Sequence, residues 1–382
     1  MDASASDEQY QDQILPHVSR TFALTIPQLP PTLRIAVTNA YLLCRIADTI
    51  EDQTVSSAAA RLGLLHRFVA VVCGEEEAAL LARDLAPRLA EHTLAAERDL
   101  VMNMGRIVRL TAALAPAQRE AIRRCVAVMC EGMHQFQCIA SLRGLARMGD
   151  LDDYCYYVAG VVGQMLTQLF CASAPAVGRQ REGLEKLSVS FAQGLQMTNI
   201  LKDVWEDWQR GACWLPQDVF GRHGVELALL RPERQPPGFY AGMHELVGVA
   251  HAHLRNALSF TLLIPKEQAG IRRFCLWAIG LAVLTLRRID ATPGFTAGNQ
   301  VKISRSAVGT TTMLSNAAVG NDWLLRRLFA IAAAGLPLAP ATAIQLPHRP
   351  LAAAAHAPAD TFDDAEYEEP RDLRRLEGSS GR

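Results

Sequence analysis

Apolar residues recur every three to four positions along most of the chain, which is the spacing of one buried face of an α-helix. The pattern starts near Leu33 and returns in the runs 58–128, 183–209, 244–263 and 272–288. Prolines and glycines separate these runs and mark the turns between them. The pattern therefore predicts a chain of amphipathic and buried α-helices.

Two of the predicted helices carry acidic residues in otherwise apolar surroundings. Segment 48–52 reads D-T-I-E-D, and segment 199–207 reads N-I-L-K-D-V-W-E-D. Residues three and four apart share one face of a helix, so each segment presents a column of oxygen ligands. The columns consist of Asp48, Glu51 and Asp52 on the first helix, and of Asn199, Asp203, Glu206 and Asp207 on the second.

These carboxylates need a compensating charge, because an unpaired carboxylate in an apolar core is costly. Mg²⁺ suits such a site: it binds a few carboxylates and fills its other positions with water and phosphate oxygens. A single D-x-x-x-D is usually a solvated helix face. Two copies, each interrupting an apolar helix, instead predict a magnesium site between two opposed acidic faces.

Basic and polar residues extend both columns. Arg45 precedes the first column on the same stripe, and Lys202 and Arg210 flank the second. Tyr41 and Gln196 continue the two stripes at helical spacing. Cations beside metal-binding carboxylates favour an anionic ligand that is bridged to the metal.

Composition excludes some functions. The formal net charge of −1 and the absence of a basic stripe with interleaved aromatic residues argue against nucleic acid as a partner. The nine cysteines lack zinc-site spacing, and the ten histidines do not cluster. The cysteines are therefore interpreted as buried thiols of a reducing cytoplasm.

Five short blocks stand in a characteristic order along the chain. They are S-R-T-F at 19–22, Y-L-L-C-R-I-A-D-T-I-E-D at 41–52, Y-C-Y-Y-V-A-G-V-V-G at 154–163, G-L-Q-M-T-N-I-L-K-D-V-W-E-D at 194–207 and V-K-I-S-R at 301–305. In this order they resemble the squalene and phytoene synthase family, the head-to-head isoprenoid synthases. The last block favours the squalene-forming branch. The resemblance implies condensation of two farnesyl diphosphates to presqualene diphosphate, followed by NADPH-dependent reduction to squalene.

The resemblance also implies a diphosphate-binding role for residues of the first blocks and of both stripes. Ser19 and Arg20 could otherwise simply pack a helix end. At Lys202 the sequence departs from the arginine expected in many members, which loses the bidentate fork of a guanidinium. The implied diphosphate contacts are Ser19, Arg20, Tyr41, Arg45, Gln196, Asn199, Lys202 and Arg210.

Further roles follow from the other blocks. The resemblance implies that Tyr154 lines the reaction centre and that Phe274 lies near the second reaction step. It also implies that Lys302 and Arg305 lie near the phosphates of NADPH, although exposed loop cations could be mere surface charge. Gly160 and Gly163 open one side of their helix, either to a neighbouring helix or to a prenyl-chain channel.

The fold class expected from these observations is all-α: one class I isoprenoid synthase domain whose helices surround a central apolar cavity. The predicted boundaries are a flexible N-terminus at 1–15, the domain at 16–345 and a disordered tail at 346–382. A cytoplasmic monomer is expected, with W-L-L-R-R-L-F at 323–329 able to rest on a membrane surface.

Three alternatives remain open. A phytoene or dehydrosqualene synthase would make the same cyclopropane without a reductant. A hydroxysqualene synthase would let water quench the cation. A helical assembly factor would keep the fold and lose the chemistry, although such a scaffold has no reason to retain two columns of buried carboxylates.

Overall fold

Helices account for nearly all the regular structure of the computed structural model, which describes residues 6–19, 21–53 and 57–340, without the side chains of residues 53 and 58. Within these ranges the chain contains no β-strand, and the all-α prediction is confirmed. The described residues belong to one compact unit, Met1–Pro347. Arg20 and the predicted tail at 346–382 lie outside the described residues.

Eighteen α-helices lie within the described ranges. They are α1 Asp7–Val18, α2 Phe22–Thr25, α3 Pro31–Gln53, α4 Ala58–Cys73, α5 Ala78–Leu85, α6 Ala95–Met102, α7 Met104–Ala113, α8 Pro116–Ile139, α9 Met148–Cys155, α10 Val161–Ser173, α11 Pro175–Gly178, α12 Arg181–Lys202, α13 Val204–Gln209, α14 Gln217–Arg222, α15 Pro237–Leu263, α16 Ala269–Asp290, α17 Arg305–Ala318 and α18 Asp322–Ala332.

The core forms where the long helices pack on one another. Helix α12 packs along α15 and α16, and α10 lies against both α12 and α8. On the other side, α3 packs against α8 and α7. This arrangement fixes α3 and α12, the helices that carry the two acidic segments, within one hydrophobic core. All nine cysteines are free thiols, and most are buried.

The second acidic segment differs from the continuous helix predicted for residues 183–209. Helix α12 ends at Lys202, Asp203 adopts φ −98° and ψ 16°, and α13 begins at Val204. The amide of Asp203 still donates to Asn199 O at 2.8 Å, and the amide of Asp207 donates to Asp203 O at 2.9 Å. Because these i to i−4 bonds survive, the break leaves Asn199, Asp203 and Asp207 in one column.

The helix that contains Tyr154 also differs from its predicted form. The sequence L-D-D-Y at 151–154 predicts an aspartate N-cap at Asp150 or Asp152, and this is wrong, because α9 begins at Met148 and Arg147 is the N-cap residue. Asp150 contributes from inside the first turn by accepting the amide of Arg147 at 2.9 Å. Directly after α9, Tyr156–Gly160 forms a π-helical turn, a distortion that often accompanies functional sites.

Two helical stretches are long and apolar enough to cross a membrane. These are Met148–Ser173 and Ala269–Asp290, with 67% and 56% of their most apolar windows buried inside the protein. A buried core helix satisfies the same criteria, so the two stretches are weak evidence for a membrane span. The cytoplasmic location and the peripheral membrane contact stay predictions.

Close helix packing explains why position 163, near Tyr154, is a glycine. A Cβ at this position would lie 2.2 Å from the carbonyl oxygen of Ser188 in α12 and 3.1 Å from Cβ of Ala192. The glycine therefore permits α10 and α12 to approach closely, which is the neighbouring-helix alternative rather than an opening in a channel wall.

We expect Gly163→Ala to lower the free energy of unfolding by about 1–3 kcal/mol, because the added methyl group forces two packed helices apart. Gly309→Ala is the matched control, since Gly309 lies inside α17 and a Cβ there meets nothing within 4 Å. That control should be neutral or stabilising by up to about 1 kcal/mol. Urea unfolding of both variants measures the difference, and equal stabilities would contradict the close approach.

Candidate active site

Arg210 joins the two acidic segments directly. Its guanidinium lies 3.4 Å from Oδ2 of Asp52 in α3 and 2.6 Å from Oδ1 of Asp207 in α13. One side chain reaches both carboxylates, so the acidic faces of α3 and α13 oppose each other across a short gap.

The surroundings of this gap disfavour ionised carboxylates, although the side chains of Asp48, Asp52 and Asp203 are 34%, 38% and 37% exposed. Burial raises the pKa of Asp48 to about 7, with Arg45 opposing the shift, and raises the pKa of Glu51 to about 8. Burial also raises the pKa of Asp207 to about 6, although Arg210 lowers it. The pKa values of Asp52 and Asp203 are raised for the same reason. The site therefore holds more potential negative charge than its own cations neutralise.

The chemistry of these donors fits Mg²⁺. The facing columns offer only oxygen atoms, and their raised pKa values indicate that the ionised forms lack a compensating charge. In the described part of the chain, no three His, Cys, Asp or Glu side chains stand close enough together to hold a metal ion. The residues that would hold the ion are Asp48, Asp52, Asp203 and Asp207.

Glu97 is a site residue that the sequence analysis missed. It lies on α6, its side chain is only 4% exposed, and it pairs with Nη2 of Arg45. The other terminal nitrogen of Arg45 lies 3.7 Å from Oδ2 of Asp48. Glu97 precedes the buried Leu100 and Val101 by three and four positions, and this placement on the apolar face of α6 is the signal that could have revealed it.

The remaining polar residues of the second stripe lie on α12 beside Asp203. Lys202 Nζ lies 3.0 Å from Oδ2 of Asp203. Gln196 is half-buried and Asn199 is exposed. Their roles as ligands stay predictions.

Glu206 bonds the backbone of a neighbouring turn, and the same turn also approaches Asp203. Its Oε1 accepts the amide of Gly298 at 2.8 Å, and its Oε2 is buried without a hydrogen-bond partner in the described structure. The turn that contains Gly298 leads directly into Lys302 and Arg305, whose side chains are exposed. The segment predicted to bind NADPH is thus adjacent to the second acidic segment.

The first sequence block lies beside α3. The hydroxyl of Tyr41 donates to Val18 O at 3.0 Å, and the Tyr41 ring lies 5.0 Å from that of Phe22. Ser19 Oγ accepts the amide of Phe22 at 3.0 Å. These contacts stabilise the turn between α1 and α2, and the diphosphate roles of Ser19 and Arg20 stay predictions.

Tyr154 sits in an aromatic cluster against both acidic segments. Its ring stacks on Trp214, with centroids 4.2 Å apart and planes inclined by 11°, and it meets Phe136 edge-on at 5.2 Å. Burial raises the pKa of Tyr154 well above its usual value, and the carboxylates of Glu51 and Asp207 add to the shift. The sequence analysis did not find Phe136 and Trp214, because they lie outside the five blocks.

Phe274 lies deeper, in the hydrophobic core. It is 2% exposed in α16, and its ring meets that of Phe170 in α10 edge-on at 6.0 Å. Its predicted role near the second reaction step stays a prediction.

A cavity of about 330 Å³ lies elsewhere, lined by Phe239, Tyr240 and Phe295 among others. Phe239 packs against the buried ring of Trp205 at 5.6 Å. Trp205 is two positions from both Asp203 and Asp207, which puts it on the opposite face of α13 from the acidic column. This cavity is therefore separate from the candidate active site.

Comparison with known proteins identifies several similar chains. The family model described as squalene/phytoene synthase matches residues 15–307. A squalene synthase of Botryococcus braunii is 30% identical over 279 residues, which cover 70% of this chain and 56% of that protein. The chain thus spans less than two thirds of the length of this relative.

Solved structures share the fold. The squalene synthase TcSQS in complex with a ligand has a TM-score of 0.71 at 22% identity. The match covers 86% of this chain and 91% of the TcSQS chain. A dehydrosqualene synthase in complex with a ligand has a TM-score of 0.59 at 21% identity. The match covers 80% of this chain and 94% of the dehydrosqualene synthase chain. Because both product classes appear, the fold alone does not distinguish between them.

We expect Glu97→Gln to lower the free energy of unfolding by roughly 1–3 kcal/mol, because it removes the charged partner of the guanidinium of Arg45 in a nearly dry environment. Glu182→Gln is the matched control: Glu182 pairs with Lys186 on an exposed helix face, where an ion pair contributes little. Chemical unfolding measures both variants. An unchanged stability of Glu97→Gln would contradict the buried pairing with Arg45.

Proposed function

The chain belongs to the squalene/phytoene synthase family, and from this premise we propose that it is a squalene synthase. It condenses two farnesyl diphosphates to presqualene diphosphate and reduces this intermediate to squalene with NADPH. The observation that carries the proposal is the pair of opposed acidic segments joined by Arg210, with Tyr154 stacked on Trp214 beside them.

Binding of the diphosphates follows from the charges at the gap. Arg45, Lys202 and Arg210 supply cations next to Asp48, Asp203 and Asp207. When bound, Mg²⁺ would neutralise the diphosphate oxygens and make diphosphate a better leaving group. The carboxylates and the cations together would orient the reacting carbon of each farnesyl chain towards the aromatic cluster.

In the first step, the C–O bond of one farnesyl diphosphate breaks and leaves an allylic cation. The double bond of the second farnesyl chain attacks this cation, and the released diphosphate takes up the proton whose loss closes the cyclopropane of presqualene diphosphate. Tyr154 contributes through its neutral ring, because its raised pKa keeps the phenol protonated. Such a ring stabilises a nearby cation electrostatically.

In the second step, the remaining diphosphate leaves and the cyclopropylcarbinyl cation rearranges. When bound, NADPH would supply the hydride that quenches the final cation and gives squalene. Phe136 and Trp214, both nearly buried, would exclude water from the cation, since water would otherwise trap it as an alcohol. Lys302 and Arg305 are exposed cations beside the second acidic segment and fit the phosphates of NADPH in charge.

Two related reactions and a role without catalysis are the alternatives to squalene synthesis. A dehydrosqualene or phytoene synthase needs no reductant, and the exposed Lys302 and Arg305, which follow the turn bonded to Glu206, favour a phosphate-bearing cofactor instead. A hydroxysqualene synthase needs water at the cation, which the aromatic wall opposes. A scaffold without chemistry would carry the cost of five partly desolvated carboxylates with raised pKa values for no gain.

Product identification tests the proposal. Purified protein is incubated with farnesyl diphosphate and Mg²⁺, with and without NADPH, and the extracted products are identified by mass spectrometry. Squalene only with NADPH, and presqualene diphosphate without it, is the expected result. A hydroxylated or dehydrogenated C30 product regardless of NADPH would overturn the reductive step, and no turnover of any prenyl diphosphate would overturn the enzymatic proposal.

We expect Asp48→Asn and Asp203→Asn each to lower turnover on the order of a hundredfold or more, because each removes a carboxylate that would hold the cation stabilising the departing diphosphate. Neither variant should lose stability, since both replace a partly buried carboxylate of raised pKa with a neutral isostere. Asp12→Asn, at an exposed position of α1, is the matched control and should keep full turnover. Near-normal activity in both site variants would refute the assignment of the metal site.

A further inference from the structure

The segment 295–301, here called the anchored segment, is attached to α13 at two hydrogen bonds. The indole N–H of Trp205 donates to Phe295 O at 2.7 Å. The amide of Gly298 donates to Oε1 of Glu206 at 2.8 Å. These bonds come from neighbouring residues of α13, so they fix the segment to the helix that carries the second acidic column.

Gly298 brings the anchored segment close to the acidic column itself. A Cβ at Gly298 would lie 2.9 Å from the carbonyl oxygen of Lys202 and 3.0 Å from Oδ1 of Asp203. Only a residue without a side chain allows this approach. The backbone of the segment therefore rests on the break between α12 and α13.

The anchored segment determines where Lys302 and Arg305 lie. It ends at Val301, which is fully buried, and Lys302 follows at once. Ser304 then caps α17 by accepting the amide of Ala307 at 3.1 Å. Only residues 302–304 connect the anchored segment to α17. Because this connection is so short, a shift of the anchored segment would move Lys302 and Arg305 with it.

The geometry of Glu206 differs from that of the acidic residues around it. Oε1 is used by the backbone of Gly298, and Oε2 is buried. Asp207, one residue later, instead bonds Arg210 across the gap. One helical position turns a side chain by about 100°, so the two acids serve different faces of α13.

We infer that Glu206 is a positioning residue and not a metal ligand: it holds the anchored segment so that the cations of Lys302 and Arg305 stand beside the diphosphate site. This inference rests on the proposed function, because it assigns those cations to NADPH. It predicts that the condensing step and the reducing step can be separated by changes at Glu206.

The test compares Glu206→Ala with Glu206→Gln. Glutamine keeps an oxygen that accepts the amide of Gly298, whereas alanine removes it. Gln209→Ala is the matched control, because Gln209 is an exposed residue of the same helix. The readouts are amide hydrogen exchange over residues 295–301, the Kd of NADPH from its fluorescence, and the rates of presqualene diphosphate and squalene formation.

For Glu206→Ala we expect faster exchange over the anchored segment and a Kd for NADPH raised roughly tenfold, as the loss of one hydrogen bond to a charged group implies. Presqualene diphosphate formation should stay within about threefold of wild type, since alanine leaves the four aspartates of the site in place. Glu206→Gln and Gln209→Ala should match wild type in every readout.

Two results would overturn the inference, and a third would overturn the proposed function on which it rests. Loss of presqualene diphosphate formation in Glu206→Gln would make Glu206 a ligand of the metal. Unchanged exchange and unchanged NADPH affinity in Glu206→Ala would remove the positioning role and leave the proposed function intact. Wild-type protein that binds no NADPH would refute the reductive function, and the exchange data would still decide whether Glu206 anchors the segment.

Discussion

The structure depends on a surplus of negative charge between two helices. Five carboxylates, those of Asp48, Glu51, Asp52, Asp203 and Asp207, have pKa values raised by burial. Arg45, Lys202 and Arg210 neutralise part of this charge, and Arg45 is itself shared with Glu97. A protein keeps such an arrangement when a cationic group completes it, and a divalent ion that also binds diphosphate does so.

The surrounding architecture keeps this charge in place. Helices α3 and α12 are fixed in one core, and α13 turns the second column towards the first. The face of α13 opposite to Asp203 carries Trp205, which packs against the rest of the domain through Phe239 and the carbonyl of Phe295. Tyr154, Phe136 and Trp214 then provide an apolar wall next to the charge. Charged and apolar surfaces meet there, as a reaction through a carbocation requires.

The sequence revealed the helical fold and both acidic columns because these features depend on local spacing. Periodicity does not report small departures from a regular helix, so the break at Asp203 and the π-helical turn at Tyr156–Gly160 were not predicted. Contacts between distant segments were also missed. Glu97 pairs with Arg45 across the fold, and Glu206 binds the backbone of Gly298; neither partner is visible from the neighbours of those residues in the sequence.

The central claim is that diphosphate and Mg²⁺ bind together between the two acidic columns. Calorimetric titration of inorganic diphosphate into the wild-type protein, with and without Mg²⁺, and into Asp48→Asn and Asp203→Asn tests it without relying on turnover. The account predicts that binding requires Mg²⁺ and is weakened at least about tenfold in either variant. Binding that is equally tight without Mg²⁺, or unchanged in both variants, would contradict it.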